Sequence, residues 1–184
     1  MKTRIAALLA CMALSAPLAA QQFDTISFGV DGGYPPFDVL APSGEITGFD
    51  IDIANALCTQ LKAKCVFVKQ PFESMIAALN AHKFDAIIAS LNITDERKKE
   101  VDFTDRYYRS AAQLVARKGS PLLPEAASLK GKTVGVQTGS THEAYARTHW
   151  ASHGVKIEGY ANQDNVYLDL LSGRIDASLQ DNIQ

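Results

Sequence analysis

The sequence predicts an α/β fold of two similar lobes, each with a central, mostly parallel sheet flanked by helices, and a ligand cleft between them. Three observations carry this. Between Ile26 and Ala89, short β-rich runs alternate with segments of helical spacing in the order β-α-β-α-β, as in a parallel sheet built through crossover helices. The last of those runs, Phe84 to Ala89, is apolar enough to be covered on both faces. A second series of the same kind begins near Lys130.

Composition narrows the function. Of 184 residues, 47% are apolar and 21% charged, which excludes disordered and collagen-like classes. A net charge of −2 gives no ground for nucleic-acid binding, because affinity for a polyanion comes from clustered Lys and Arg. Residues 1–20 read as a secretory signal peptide: Lys2 and Arg4, an apolar stretch from Ile5 to Leu14, then small residues to Ala20, with cleavage there leaving Gln21 first. Leu8-Leu9-Ala10-Cys11 has the look of a lipidation box, but hardly any apolar run precedes Cys11. No later stretch reaches the roughly 18 apolar residues of a membrane helix.

Ile26 to Val30 is the first strand, and it runs into Asp31-Gly32-Gly33-Tyr34-Pro35-Pro36, a loop that no helix or inner strand accommodates. Phe49 to Leu61 has helical spacing with Ile53, Leu57 and Leu61 on one stripe and Asp50 or Asp52 near its start. Cys65 to Val68 follows as a strand. In an exported chain Cys58 and Cys65 read first as a disulfide contributing roughly 2 to 3 kcal/mol, with two buried thiols as the alternative. A metal site has less support, since no His or third Cys lies beside them. Phe72 to Leu79 is the next helix and Phe84 to Ala89 the next strand.

Beyond that strand lies the polar run from Ser90 to Glu100. Thr94 is placed to cap a short helix with Arg97 at its third position, while Glu96, Lys98, Lys99 and Glu100 read as a solvated face. Asn92-Ile93-Thr94 spells a glycosylation sequon, set aside in a chain of bacterial character. Arg109 to Lys118 reads as an extended crossing segment with Gly119 beside the hinge, and Gly119 to Ser128 as a loop. Thr133 to Val136 is a strand ending in Gln137-Thr138-Gly139-Ser140-Thr141-His142, where Ser140 or Thr141 caps a helix to about Trp150 and leaves N–H groups facing the sheet edge. Val155 to Tyr160, Asn162 to Leu171 and Ile175 to Leu179 continue as strand, helix and strand, ending at Gln180-Asp181. This gives a first lobe at 21–110, a crossing at 111–118 and a second lobe at 119–184, the chain stopping mid-unit.

Three segments carry a family resemblance: Gly48-Phe49-Asp50-Ile51-Asp52; Ile93-Thr94-Asp95-Glu96-Arg97 with Val101-Asp102-Phe103-Thr104; and Leu129-Lys130-Gly131-Lys132-Thr133-Val134-Gly135-Val136 with its Gly-Ser-Thr loop. Together they are similar to the periplasmic polar amino-acid-binding proteins of ABC importers (solute-binding protein family 3), most of all the lysine/arginine/ornithine and histidine binders. The resemblance implies the Cys58–Cys65 disulfide, a periplasmic binding protein-like fold incomplete at the C-terminus, a monomer that docks on an inner-membrane permease, and no cofactor.

A free α-amino acid needs a cation for its carboxylate, an anion for its ammonium and a slot matched to its side chain. By position, the resemblance implies that Arg97 pairs with the carboxylate beside Thr141, that Asp181 and Ser90 hold the ammonium, that Tyr34 and Phe72 line the slot, and that Asp31 meets a distal positive charge. Four positions depart from the lysine/arginine/ornithine pattern: Ala89 stands for the usual serine, Asn92 for a small hydroxyl, Gln137 for an apolar residue and His142 for a glutamine. Asn92, Gln137 and His142 add buried polar groups that arginine, histidine or a guanidinium-bearing opine satisfies better than lysine. The rival classes are a cyclohexadienyl dehydratase-like enzyme, with His142 or Asp31 as acid or base, and a ligand-sensing module. His149 and His153 have chelating spacing but no third ligand.

Overall fold

The computed structural model describes residues 24–184, so the signal peptide, its cleavage after Ala20 and Cys11 lie outside the described residues. β1 (Thr25–Val30) is the middle strand of a parallel sheet of order β5-β1-β6, and its carboxyl half is buried. The segment after it, expected as loop, folds into a small antiparallel meander of β2 (Gly33–Tyr34), β3 (Asp38–Leu40) and β4 (Ile46–Thr47).

α1 (Phe49–Leu61) has the bounds its periodicity predicts but not the buried stripe. Ile51, Ala54 and Cys58 face inward, whereas Leu57 and Leu61 are 47% and 55% exposed. The disulfide accounts for the rotation: Cys58 and Cys65 are joined with their Cα atoms 5.8 Å apart, so the Cys58 face turns toward β5 (Lys64–Lys69). Small Ala54 lies on the same inward face. The helix expected at Phe72 to Leu79 divides into a 3-10 turn, Phe72–Ser74, and α2 (Met75–Asn80), because Ser74 leaves helical backbone at φ −107, ψ 7. β6 covers only Ala86–Ile87, although flanking bonds from Asp85 N to Ser27 O (2.9 Å) and Ile88 N to Gly29 O (3.0 Å) extend its ladder.

The second sheet has the order β7-β10-β8-β9. Residues 111–118, expected only to cross between lobes, contain β7 (Ala112–Ala116), an edge strand antiparallel to β10. α3 (Ala126–Leu129), β8 (Thr133–Gln137), α4 (Thr141–His149), β9 (Lys156–Tyr160), α5 (Gln163–Ser172) and β10 (Ala177–Asp181) follow. Ser140 is the cap of α4, its hydroxyl accepting from Glu143 N at 3.1 Å, and Asn162 caps α5 in the same way from Asn165 N. Leu129, Val134, Val136, Ala146, Trp150 and Leu179 form the core of this lobe.

Each sheet reverses its winding once. From β1 the chain passes to β5 on one side and to β6 on the other; from β8 it passes to β9 and then to β10. Crevices form at the carboxyl ends of strands flanking such a reversal. Asp31 directly follows β1, Ser90 follows β6, and Gln137 and Asp181 end β8 and β10.

The disulfide closes a loop whose cysteines are seven residues apart, so reduction is expected to lower unfolding stability by roughly 2 kcal/mol. Urea denaturation with and without reductant measures this, and coincident midpoints would contradict it.

Candidate functional site

The two crevices face one another, and the expected ligand residues meet across the gap. Asp31, 6% exposed, accepts a bond from Gln137 Nε2 at 2.9 Å; Gln137 is 4% exposed. Burial pushes the Asp31 carboxyl up to about 6, against the lowering effects of the Gln137 bond, the Lys69 charge and the Phe72 N–H. The Tyr34 hydroxyl donates to Asp181. Burial, and then the Asp181 charge, pushes Tyr34 far above the usual phenol range, so it stays a donor. Asp181 also accepts from Ser110 Oγ at 2.5 Å and lies 3.6 Å from His142 Nε2. Burial alone would raise the Asp181 carboxyl, but His142, Ser110 and Tyr34 together hold it below the ordinary carboxylate value.

Arg97 sits where its cap puts it. Thr94 Oγ1 accepts from Arg97 N at 3.2 Å and starts the 3-10 turn Arg97–Lys99, turning the guanidinium inward while Glu96, Lys98, Lys99 and Glu100 are exposed. Nη1 donates to Asn92 O at 2.7 Å, Nη2 donates to Gly139 O at 2.9 Å, and the guanidinium carbon lies 5.7 Å from the Phe72 ring centre. Among the described residues, no carboxylate pairs with it. Burial lowers its pKa. Asn92 Nδ2 spans the gap to Thr141 Oγ1 at 2.9 Å.

Beside this seam opens a cavity of about 520 Å³, lined by Ser90, Asn92, Thr141, His142, Asp181 and the strap Phe103 to Ser110. Asp31, Tyr34, Phe72, Arg97 and Gln137 do not line it. Five of the ten expected residues therefore line the cavity and five do not, while Asn92, Thr141 and Asp181 line it and also bond across the seam. Ser90, with a left-handed φ of 52, donates to Asp50 Oδ2 at 2.9 Å and so is turned toward its own lobe.

The strap is what sequence reasoning missed. Tyr107 donates to buried Asp50 Oδ1 at 2.9 Å, Tyr108 stacks on Phe37 with ring centres 4.9 Å apart, and Ser110 holds Asp181. The tyrosine doublet in a polar stretch was the available signal. Two glycines let the lobes approach: a Cβ on Gly33 would come within 2.9 Å of Asn162 Cβ, and one on Gly139, at φ +78, within 2.8 Å of Glu73 Cα. Among the described residues, no three His, Cys, Asp or Glu side chains are grouped to hold a metal, and no helix is long and apolar enough to cross a membrane.

Two α/β lobes that face each other at their winding reversals, with unpaired charges between them, define a two-lobed cleft-binding protein. The chain belongs to the bacterial extracellular solute-binding proteins, family 3, which it matches over residues 26–182. It is 49% identical over 160 residues to the lysine/arginine/ornithine-binding periplasmic protein of Escherichia coli, covering 87% of this chain and 62% of that one. To the histidine-binding periplasmic protein of Salmonella typhimurium it is 46% identical over 158 residues, covering 86% and 61%. The chain thus spans less than two thirds of either relative. Its fold matches an ancestral arginine-binding protein bound to arginine with a TM-score of 0.84 at 38% identity, over 88% of this chain and 72% of that one.

Asp38 is fully buried, with Oδ1 accepting from Gly32 N and Oδ2 without a hydrogen-bond partner among the described residues. Burial first, then the charges of Asp31 and Asp50, push its carboxyl from 3.8 to about 7. A raised folded-state pKa means that the folded form holds the proton longer, so this group's ionisation weakens the fold as pH rises through that window. Asp38→Asn is therefore expected to gain melting temperature relative to wild type between pH 4 and pH 8; a constant difference would contradict the assignment.

Proposed function

We propose that this chain is the solute-binding component of an ABC importer, acting in the periplasm as a monomer that captures a basic L-amino acid and presents it to an inner-membrane permease. Arg97 carries this reading: a guanidinium partly withdrawn from water, bonded to two carbonyl oxygens and paired with no carboxylate among the described residues, is suited to receive an anion. On the same cleft, buried Asp31 and Asp181 lack any Lys or Arg within ion-pairing distance among the described residues, the complement required by ammonium and by a cationic side-chain end. The names of the relatives, which specify lysine, arginine, ornithine and histidine, agree with that complement.

In this reading Arg97 takes the ligand carboxylate in a bidentate pair, with Thr141 and the first N–H groups of α4 beside it. Asp181 and Ser90 hold the α-ammonium. Tyr34 and Phe72 flank the aliphatic stem, and Asp31 meets the distal charge. Asn92, Gln137 and His142 exchange their present partners for the ligand. Because these groups belong to opposing lobes, a ligand bridging them favours the closed arrangement. The hinge lies just before β7, since residues 112–116 are hydrogen-bonded into the second sheet. The chemistry is recognition, with no cofactor and no bond broken; the relatives' names are those of binding proteins, which favours this over a dehydratase.

Isothermal titration with arginine, lysine, ornithine, histidine and glutamine tests the reading, and binding of none would sink it. Arg97→Ala should weaken the bound amino acid at least about 30-fold, because a carboxylate is left buried without its cation; unchanged affinity removes Arg97 from the site. Since burial pushes the Asp31 carboxyl up to about 6, affinity for cationic ligands should fall as pH drops below that value. Asp31→Asn should abolish this pH dependence. A fall of the same size for neutral glutamine would contradict the role.

A further inference from the structure

We infer that Glu143 is a positioning residue for Arg97: it fixes the Gly139 carbonyl that holds the guanidinium from the opposite lobe, and Arg147 locks Glu143 in place. The inference rests on the reading of Arg97 as the partner of a ligand carboxylate and names what sets the direction of that cation. Of the two carbonyls bonded to Arg97, Asn92 O belongs to its own loop, and Gly139 O is the contribution of the second lobe.

Gly139 stands between β8 and α4 with a left-handed φ of 78. Its neighbours' N–H groups go to the main chain, Thr138 N to Tyr160 O at 2.8 Å and Ser140 N to Gln137 O at 3.2 Å. Gly139 N instead donates to a side chain, Glu143 Oε2, at 2.7 Å. In a reciprocal helix cap, a glutamate three residues in reaches back to the N–H of the capping residue itself. Here the capping residue is Ser140, whose hydroxyl accepts from Glu143 N, yet the glutamate reaches one residue further. The cap therefore grips the glycine whose carbonyl faces Arg97. Arg147 restricts the glutamate in turn: Nε and Nη2 both donate to Oε1, at 2.9 and 2.8 Å, which leaves Oε2 to the loop. A glutamate four residues before its basic partner is the favoured order on a helix. Side-chain exposure falls from 53% at Arg147 to 15% at Glu143, so the brace runs from the surface of α4 inward. Gly159 on β9 leaves room for it, since a Cβ there would stand 2.7 Å from Thr138 Oγ1 and 3.4 Å from Glu143 Oε1. Without Glu143, a glycine free to leave its left-handed conformation swings the carbonyl away, and Arg97 loses its partner on the second lobe.

The test is titration of wild type, Glu143→Gln, Glu143→Leu and Arg147→Met with L-arginine and L-histidine and with the amide of each, which lacks the carboxylate charge. Glu143→Leu is expected to bind the acids about tenfold more weakly while the amides change less than about twofold, because only the carboxylate meets Arg97. Glu143→Gln keeps an acceptor for Gly139 N and should stay within about threefold of wild type, with Arg147→Met between the two. If wild type binds an acid and Glu143→Leu binds it equally well, or if acid and amide weaken by the same factor, the brace is wrong and the reading of Arg97 stands. If wild type binds neither acid better than its amide, that reading falls and takes the brace with it. Should Glu143→Leu fail to fold, the half-exposed Arg147→Met carries the same comparison: weaker binding of the acids alone supports the brace, and unchanged binding overturns it.

Discussion

A guanidinium bonded to two carbonyl oxygens, with no carboxylate paired to it among the described residues, is the constraint on which the cleft depends. Arg97 is placed by a local device, the Thr94 cap, yet its two bonds reach Asn92 O on one side of the gap and Gly139 O on the other. It therefore ties the polar loop after β6 to the loop after β8. Withdrawing a cation from water costs free energy that carbonyl dipoles offset only in part. In the proposed reading, the residual demand for an anion is met by the ligand carboxylate.

The same logic runs along the seam. Asp31 meets an amide, Asp181 meets hydroxyls and an imidazole, and Asn92 meets a hydroxyl, each partner neutral or weakly charged and each drawn mostly from the opposite lobe. Such pairs satisfy buried groups without neutralising them, and in the proposed reading an amino acid carrying the complementary charges replaces them. Gly33 and Gly139 matter for the same reason, because a side chain at either would meet the other lobe before the polar groups did.

Much of this was legible in the sequence where the cause is local. The bounds of α1, a cap at Ser140 or Thr141, the Thr94 cap and the disulfide follow from spacing and capping chemistry within a few residues. The inward face of α1 was misread because Leu57 and Leu61 are more apolar than Ala54, whereas the link from Cys58 to Cys65 decides the rotation. β7 was read as a plain crossing because its partner strand, β10, lies far along the chain. Each of the ten proposed site residues is named by family resemblance. Their pairing is not: Asp31 and Gln137 are 106 residues apart, and Tyr34 and Asp181 are 147 apart, distances over which no local pattern operates. The strap from Phe103 to Ser110 escaped notice for the same reason, since Tyr107 and Ser110 act through Asp50 and Asp181 in distant segments.

The most direct test of the account is a crystal structure of the protein with L-arginine. The account predicts the carboxylate on Arg97, the stem between Tyr34 and Phe72, and the guanidinium against Asp31, with the bond from Gln137 to Asp31 broken. Arginine lodged only in the cavity against Tyr107, Tyr108 and Ser110, touching neither Arg97 nor Asp31 and leaving the Asp31–Gln137 bond intact, would contradict it.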